Sequence, residues 1–447
     1  EHDPWGLGAA PLPPGPLRLD LPMSEALVAA TPSVRLTHTY RMRVRRADDG
    51  TVALELGPPL AGDEVGAHAQ QRHQVQHAVA APAVDPGLVH FQSYTGQAND
   101  SPLAIHEAMR RLRPGLRSVW AVADRSVPVP EGAEPVLLRS REWYAALATA
   151  GHVVTNIDLE PWFVKRPGQR VLQTYHGHPS KAMGLMAWEA KGFTPLRVEE
   201  MLDRTARTWD LLVAPSPAAE ALYRQQFAYD GAVVSAGYPR NDELVAADRH
   251  ERRRASRERL GIGASQRAVL YAPTWRDDLA SNHRVAPMAA LFDVEAAAAA
   301  LGDDHVILLR GHRFHRRRSV GSGGARVLDV TDHPHINDLI LAADAAVLDY
   351  SSLRFDIALA GCPMVFLVPD LARYAGSVRG FLHDFAGTAP GPLVDTTAEV
   401  VDLLRDLDGL AAAYSPARER FVGEFWAEQD DRSAERVVAA FWPAPSG

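Results

Sequence analysis

The sequence predicts an α/β protein that consists of two parallel-sheet lobes with a cleft between them, preceded by a short β element. Strand patterns alternate with helical patterns from about residue 75 onwards, which is typical of βαβ units. A second series of the same kind begins after an arginine-rich run at residues 249–259. A chain of 447 residues is long enough for two domains of ordinary size, so each series is interpreted as one lobe.

The first 74 residues differ in pattern from the rest. Residues 1–17 are rich in proline and glycine without periodicity, which predicts a linker or the remnant of a preceding module. Val34–Arg45 and Thr51–Leu56 have strand-like patterns on either side of Asp48–Gly50, which has the composition of a tight turn. Residues 18–74 are therefore expected to form a small β element.

Residues 75–241 are predicted to form the first lobe. Helical patterns lie between several of its strands, for example Pro102–Leu112 with Ser101 as its N-cap. The predicted strands are Leu88–Tyr94, Ser118–Val122, Pro135–Leu138, His152–Ile157, Arg170–Tyr175, Leu211–Ala214 and Val233–Ala236.

Residues 242–425 are predicted to form the second lobe, and residues 426–447 a C-terminal helix that crosses back to the first. The strands of this lobe are predicted at Ala268–Ala272, His305–Leu309, Arg326–Val330, Ala345–Leu348 and Met364–Val368. Ligands of open parallel sheets bind beyond the carboxyl ends of the strands. The loops after Tyr175, Ala272, Leu309 and Leu348 are therefore the candidate site loops.

The composition favours a cytoplasmic protein. The single cysteine, Cys362, cannot form an intrachain disulfide and is expected to be a buried, inert thiol. No stretch approaches the ~20 apolar residues of a membrane span, and the start of the chain lacks the pattern of a signal peptide.

Positive charge is concentrated locally although the net charge is -8. Arg249–Arg259 and Arg310–Arg318 are both dense in arginine. The first run is interpreted either as a solvated helix face or as a surface for anionic lipid headgroups or a polyanionic acceptor. Nucleic acid is not an expected partner, because aromatic residues are not interleaved with these charges.

His176 is a candidate general base, because it follows a predicted strand and precedes a glycine that leaves it uncovered. The alternative is a turn histidine whose nitrogens bind backbone groups. Thr274 and Arg276 follow the next such strand, and both are donors suited to phosphate oxygens. Arg310 and His312 follow another, where they could hold a diphosphate.

Asp349, Ser351 and Ser352 precede a predicted helix at Leu353–Ala360. Hydroxyls and free amides at a helix start can bind an anion, although a serine there is more often only a cap. The close histidine pairs lie on separate loops without regularly spaced acidic or cysteine ligands, so no catalytic metal is predicted. The usual dinucleotide, P-loop and nucleophile-elbow motifs are missing from the sequence.

These loops, in this order, resemble the CDP-glycerol glycerophosphotransferase family of teichoic acid polymerases and primases, over roughly residues 85–425. Seven segments carry the resemblance: Thr174–Gly184, Gly237–Leu244, Tyr271–Asp278, Leu308–His312, Asp329–Asp344, Leu348–Asp356 and Arg379–Val394. It implies a GT-B fold of two Rossmann-like lobes and an enzyme that uses CDP-glycerol or CDP-ribitol as donor, with no cofactor.

The resemblance also implies roles for individual residues. The two histidines that the family requires correspond to His176 and His312. Ser351 and Ser352 match the family's diphosphate region, and together with Thr274, Arg276, Arg310 and Asp349, which their positions after the strands suggest, they are the predicted donor diphosphate site. The nucleotide region would comprise Asp332, His333, His335, Ile336 and Asn337. The acceptor side would comprise Gly177, His178, Lys181 and Asn241.

The expected function is transfer of glycerol phosphate or ribitol phosphate to a cell-wall polymer or a lipid-linked acceptor, at the inner face of the cell membrane. Three positions depart from the family pattern: His178, Ser180 and Arg313. The first two lie on the acceptor side, so the acceptor can differ from the familiar ones. The alternatives are a GT-B glycosyltransferase or sugar-nucleotide epimerase, and a noncatalytic module that binds a wall polymer.

Overall fold

The computed structural model describes residues 17–21, 34–46, 52–274, 291–311, 325–378 and 380–443. Contacts divide the chain into two compact units. The first unit contains residues 1–176, 207–212 and 437–447, and the second contains residues 177–206 and 213–436. The α/β class and the two parallel sheets are confirmed.

A four-stranded antiparallel sheet forms the small β element, with strand order β1-β4-β3-β2. Its strands are β1 Leu17–Leu21, β2 Val34–Leu36, β3 Arg41–Arg46 and β4 Val52–Gly57. The prediction of one continuous strand at residues 34–45 is wrong, because Thr37 N donates to Tyr40 O (2.9 Å) and turns the chain there. The turn predicted at residues 48–50 lies outside the described residues.

A seven-stranded sheet follows, with strand order β11-β10-β9-β8-β5-β6-β7. Chain order reverses between β5 and β8, and the carboxyl edge at such a reversal is where open parallel sheets bind ligands. The strands are β5 Asp85–Gln92, β6 Arg117–Val122, β7 Ala133–Leu137, β8 Ala150–Thr155, β9 Arg170–Gln173, β10 Leu211–Ala214 and β11 Val233–Ser235.

The α-helices of residues 58–150 are Ala67–Val79, Asp100–Leu112 and Arg141–Thr149, and two short 3-10 helices are Gly62–Glu64 and Tyr94–Gly96. The predicted cap of the second helix is wrong. Its N-cap is Asn99, which has extended backbone angles, whereas Ser101 is already inside the first turn and fully buried.

Burial lowers the pKa of several histidines of the first unit: of His90 to about 3, of His106 and His152 to about 4, and of His77 below its usual value. Between about pH 6.5 and about pH 4, the unfolded chain binds protons at these side chains, whereas the folded chain mostly does not. We therefore expect the free energy of unfolding to fall as the pH falls from about 6.5 to about 4.

Urea unfolding at several pH values measures this dependence. A His90→Leu variant removes one of these groups, so its free energy of unfolding should depend less steeply on pH across that range. An unchanged slope in the variant would contradict the assignment of this dependence to buried histidines.

The six-stranded parallel sheet of the second unit has the order β14-β13-β12-β15-β16-β17. Its chain order reverses between β12 and β15, and its core is apolar, with Val269, Ile307 and Val347 completely buried. The strands are β12 Arg267–Ala272, β13 His305–Leu309, β14 Arg326–Asp329, β15 Ala345–Leu348, β16 Met364–Leu367 and β17 Leu393–Val394.

The remaining helices lie between strands of the two parallel sheets or follow the last strand. Within the described part of the chain, no helix has both the length and the apolar character that a bilayer span requires. The remaining helices are Gly184–Ala190, Pro195–Thr208, Pro217–Phe227, Asp242–Val245, Arg249–Arg259, Val294–Leu301, Ile336–Ala342, Leu353–Leu359, Leu371–Arg373, Thr397–Arg405, Leu407–Phe425 and Ser433–Phe441.

The arginine-rich run forms the helix Arg249–Arg259, but this helix does not present all its arginines to solvent. Arg253 donates to Leu341 O (2.5 Å) and Ala343 O (2.7 Å), and Arg257 donates to Ala342 O (2.9 Å). Both also pair with Asp344. Cations next to these terminal carbonyls stabilise the end of the helix Ile336–Ala342, so the interpretation as a wholly solvated face is wrong.

Alanine substitutions at Gly184 and Gly192 distinguish two costs of a side chain at a positive φ angle: backbone strain, and steric overlap with neighbouring atoms. Gly184 has φ +51° and its Cβ would lie 2.1 Å from Gln226 O, whereas Gly192 has φ +67° with nothing within 4 Å. Gly192→Ala should cost about 1–2 kcal/mol, the cost of the left-handed conformation. Gly184→Ala should cost clearly more, because the backbone at Gln226 must also move. Equal losses in urea unfolding would contradict this expectation.

Candidate functional site

His176 lies at the carboxyl edge of the seven-stranded sheet, just beyond β9, and its side chain is exposed. Its Nδ1 is 3.0 Å from Asn156 O, and its ring stacks on Tyr94 with centroids 5.3 Å apart and 10° between the planes. A carbonyl oxygen can only accept a hydrogen bond, so we assign the proton to Nδ1. The lone pair is then on Nε2, which is the tautomer that a general base needs.

Asn156 contacts both His176 and the backbone of Tyr94, the residue that stacks on the His176 ring. It follows β8 and is fully buried, and its Oδ1 accepts a hydrogen bond from Tyr94 N (2.7 Å). One residue therefore binds the His176 ring through its backbone and the Tyr94 loop through its side chain. Tyr94 and Asn156 follow β5 and β8, the two strands between which the chain order reverses, so the switch-point rule could have found them.

Backbone strain lies immediately before His176. Tyr175 has φ +54° although it is a bulky residue, and it is buried. The side chain of Gln173 accepts from Tyr175 N (2.9 Å) and donates to Ile157 O (3.0 Å), which fixes this conformation. Strained backbone that its surroundings hold in place is typical of functional sites.

In the second unit, Thr274 and Asp349 meet at the carboxyl edge of the sheet. Thr274 N donates to both carboxylate oxygens of Asp349 (2.9 and 3.0 Å), and Lys181 Nζ lies 3.4 Å from Thr274 Oγ1. Asp349 is therefore occupied in orienting the Thr274 loop. A carboxylate would also repel a diphosphate, so a direct donor contact by Asp349 is corrected to a positioning contact.

Ser351 and Ser352 begin the helix Leu353–Leu359. Ser351 Oγ accepts from Leu353 N (3.3 Å), whereas Ser352, the N-cap, makes no side-chain cap bond. A Cβ at Gly177 would lie 3.3 Å from Ser352 Oγ, so the glycine allows close approach of the two segments. The structure thus brings Gly177 and Ser352 together.

Arg310 lies beyond β13 and binds backbone rather than facing outwards. Its guanidinium donates to Val330 O (2.9 Å) and His333 O (2.5 Å), and burial lowers its pKa to about 10. Gly311 N also donates to Thr331 Oγ1 (2.9 Å). Arg310 therefore shapes the loop in which the nucleotide region was predicted.

The predicted nucleotide region is only partly accessible. Asp332 is exposed, and His335 and Ile336 are half-buried. Burial lowers the pKa of His333 to about 4, so this side chain is neutral near pH 7. Asn337 is buried, and its Nδ2 donates to Arg240 O (2.7 Å).

Two predicted acceptor-side residues are inside the second unit. His178 is 3% exposed, stacks on Phe355 with centroids 4.1 Å apart, and has a pKa held well below its usual value by burial. Asn241 is fully buried, and its Nδ2 donates to Asp356 Oδ1 (2.6 Å). Neither side chain can contact a polymer in this arrangement, so both are corrected to packing residues.

A buried ion pair that the sequence analysis did not single out lies beside Asn241. Arg240 Nη2 donates to Asp356 Oδ2 (2.8 Å), and the two side chains are 7% and 1% exposed. His312 and Arg276 lie outside the described residues. Within the described ranges, no three side chains of the metal-binding types come together.

A sequence model of the CDP-Glycerol:Poly(glycerophosphate) glycerophosphotransferase family matches residues 73–443. A teichoic acid glycerol-phosphate transferase of Staphylococcus aureus is 32% identical over 361 residues, which are 78% of this chain and 91% of the relative. A teichoic acid poly(glycerol phosphate) polymerase of Bacillus subtilis is 31% identical over 364 residues, which are 79% of this chain but 48% of that polymerase.

A solved structure of the wall teichoic acid polymerase TagF is similar in fold. It superposes with a TM-score of 0.75 at 28% sequence identity and covers 83% of this chain and 92% of the solved chain. The match to the family model covers both parallel sheets and begins at residue 73, after the small antiparallel sheet.

Proposed function

Because the chain belongs to the CDP-glycerol:poly(glycerophosphate) glycerophosphotransferase family, we propose that it transfers a polyol phosphate from a CDP-polyol to an acceptor hydroxyl and releases CMP. Glycerol phosphate is the favoured group, since the S. aureus and B. subtilis relatives described above are named for it. The observation that carries the proposal is the orientation of His176, whose Nδ1 faces Asn156 O.

In the proposed reaction, His176 Nε2 removes the proton from an acceptor hydroxyl. The oxygen then forms a bond to the phosphorus that bears the polyol, and the bond from that phosphorus to the CMP oxygen breaks in line. CMP leaves with the bonding electron pair, and the proton stays on His176. Such transfers depend mainly on positioning and on neutralising phosphate charge.

Several side chains of the second unit support a diphosphate contact in this proposal. Lys181 brings an ammonium group within 3.4 Å of the Thr274 hydroxyl, and Ser352 has a hydroxyl without a capping bond to its helix. His312 and Arg276 remain predicted diphosphate contacts, and both lie outside the described residues. Arg310 remains a predicted contributor that acts indirectly, because it hydrogen-bonds the backbone of the loop beside the site. The proposed reaction uses no metal or other cofactor, so EDTA should leave the rate unchanged.

A donor screen tests the proposal. Purified protein should release CMP from CDP-glycerol in the presence of an acceptor, and more slowly from CDP-ribitol. Release of UDP or GDP from a sugar nucleotide would instead support a glycosyltransferase or epimerase. Polymer binding without turnover of any donor would support a noncatalytic module.

We also propose that the acceptor is lipid-linked and that the protein works at the inner face of the cell membrane. Arg249 and Arg254 support this, because they are exposed on the helix whose Arg253 and Arg257 are bound internally. An Arg249→Ser, Arg254→Ser variant should bind anionic liposomes more weakly than the wild type. Unchanged liposome binding would exclude this helix as the membrane-facing element.

A further inference from the structure

The small antiparallel sheet has one face that is rich in arginine and lies outside the region matched by the family, which starts at residue 73. Cross-strand partners share a face of a sheet, and alternate residues of a strand do so too. The register therefore places Val34, Leu36, Arg41, Arg43 and Gly57 on one face.

This face, hereafter the arginine face, has an excess of positive charge. Both charged side chains that are described on this face, Arg41 and Arg43, are arginines. Arg43 is exposed and Arg41 partly exposed. Val34 and Leu36, at the edge strand, are 43% and 53% exposed, so aliphatic surface lies beside the two arginines.

The spacing of these arginines is regular. Arg41, Arg43 and Arg45 are alternate residues of β3, which places their Cα atoms about 7 Å apart in succession. Six covalent bonds separate alternate Cα atoms along a chain. Six bonds also separate successive phosphorus atoms in a polymer of three-carbon polyol phosphates, so an extended chain of that polymer has a matching repeat.

The arginine face is connected to His176 through contacts within the first unit. His38, in the turn between β2 and β3, has its Nδ1 3.2 Å from Arg125 Nη1. Arg125 lies in the loop after β6, and Ala123 N of that loop donates to Gly96 O (2.8 Å). Gly96 belongs to the short helix that begins at Tyr94, the residue that stacks on His176.

We propose that the arginine face binds the polyol-phosphate chain of the acceptor, with Arg41 and Arg43 on successive phosphodiesters and the aliphatic carbons against Val34 and Leu36. The inference rests on the proposed function and extends it to the acceptor. The proposal also predicts which polymer binds. The three-carbon repeat of poly(glycerol phosphate) has six bonds and matches the spacing of alternate residues in the strand, whereas the five-carbon repeat of poly(ribitol phosphate) has eight bonds and does not.

A lipid surface and nucleic acid are the other anionic partners that such a face could bind. Regular spacing along one strand favours a linear polymer over a membrane, whose headgroups have no fixed repeat. The described side chains of the arginine face include no aromatic residue, which an unpaired nucleic acid strand would use for stacking.

Equilibrium binding of poly(glycerol phosphate) to the full chain, without donor, tests the proposal directly. The Arg41→Ser, Arg43→Ser double variant should bind at least tenfold more weakly, with a slope of log affinity against log salt that is smaller by about two. Arg35→Ser is the control, because Arg35 is exposed on the adjacent edge strand β2 but on the opposite face. It should bind as the wild type does.

Several outcomes would overturn the proposal: no binding of the polymer by the wild type, unchanged binding by the double variant, or equal loss in Arg35→Ser. Binding of poly(ribitol phosphate) as tight as that of the glycerol polymer would refute the matched repeat. If anionic vesicles or duplex DNA bound more tightly than the polymer and lost affinity in the same double variant, the face would be assigned to that partner instead.

Kinetics separates this proposal from the proposed function. With CDP-glycerol, the double variant should show a raised KM for a long polymer acceptor, while kcat and the rate with a single-unit acceptor stay unchanged. Failure of the wild type to release CMP would refute the proposed function but leave the binding result to decide on the arginine face. Circular dichroism checks that each variant is folded.

Discussion

Replacement of His176 with asparagine is expected to lower the rate of CMP release from CDP-glycerol by about 10²–10⁴-fold, the range that a positioned general base contributes. Asparagine keeps a polar side chain beside Asn156 O and Tyr94 but has no basic nitrogen. The affinity for CDP-glycerol should stay within a few fold of the wild type, because the base acts on the acceptor hydroxyl and not on the donor.

The measurements are initial rates of CMP release and calorimetric binding of the donor. His68→Asn is a suitable control, because His68 is an exposed histidine on the helix Ala67–Val79. It should leave both quantities unchanged. A His176→Asn enzyme with near-normal turnover, or one that had lost only donor affinity, would show that the base is another group.

The imidazole orientation on which this expectation depends could not be read from the sequence. Tyr94, Asn156 and His176 are far apart along the chain and come together only because β5, β8 and β9 are neighbours in the sheet. The histidine at the end of a predicted strand indicated where the general base lies. The tautomer of this histidine, however, depends on the backbone carbonyl of residue 156, which any amino acid at that position would supply. The strain at Tyr175 has no sequence signature either, since a glycine would be the expected residue there.

The strands were easier to predict, because buried apolar runs between polar segments mark a parallel sheet. Leu211–Ala214, His305–Leu309 and Ala345–Leu348 begin and end where the sequence predicted. The segment at residues 34–45 was misjudged, since a turn without glycine or proline leaves little trace in the pattern.

Burial was the property that the sequence predicted least well. His178 resembles an exposed loop histidine in sequence, but Phe355 stacks on its ring and Phe425 packs edge-on against it, both from distant segments. Arg253 and Arg257 look solvated in a run of arginines, but the end of another helix supplies carbonyls for them. In each case the partner comes from a part of the chain that local periodicity does not reach.

The buried pair Arg240–Asp356 leads to the largest expected loss of stability. Asp356 accepts hydrogen bonds from Arg240 Nη2 (2.8 Å) and Asn241 Nδ2 (2.6 Å) while its side chain is 1% exposed. Asp356→Leu leaves a buried guanidinium without its counter-charge, which typically costs about 3–5 kcal/mol. We therefore expect the free energy of unfolding in urea to fall by that amount.

Two further variants distinguish an unpaired charge from simple loss of packing. Asp402→Ala removes an aspartate from an exposed pair with Arg405, whose side chains are 74% and 55% exposed, and should change stability by less than about 0.5 kcal/mol. Arg240→Met combined with Asp356→Leu removes both charges, and should recover most of the loss. A double variant as unstable as Asp356→Leu alone would show that shape, not charge, determines the cost.

The same pair links stability to the proposed donor site. Asp356 is in the helix Leu353–Leu359 that Ser351 and Ser352 begin, and Arg240 is in the segment that precedes the helix Asp242–Val245. If the ion pair holds this helix in place, the folded fraction of Asp356→Leu should show a higher KM for CDP-glycerol, and the charge-free double variant should restore it in part. Recovery of stability without recovery of KM would mean that the charges of the pair, and not only the position of the helix, affect donor binding.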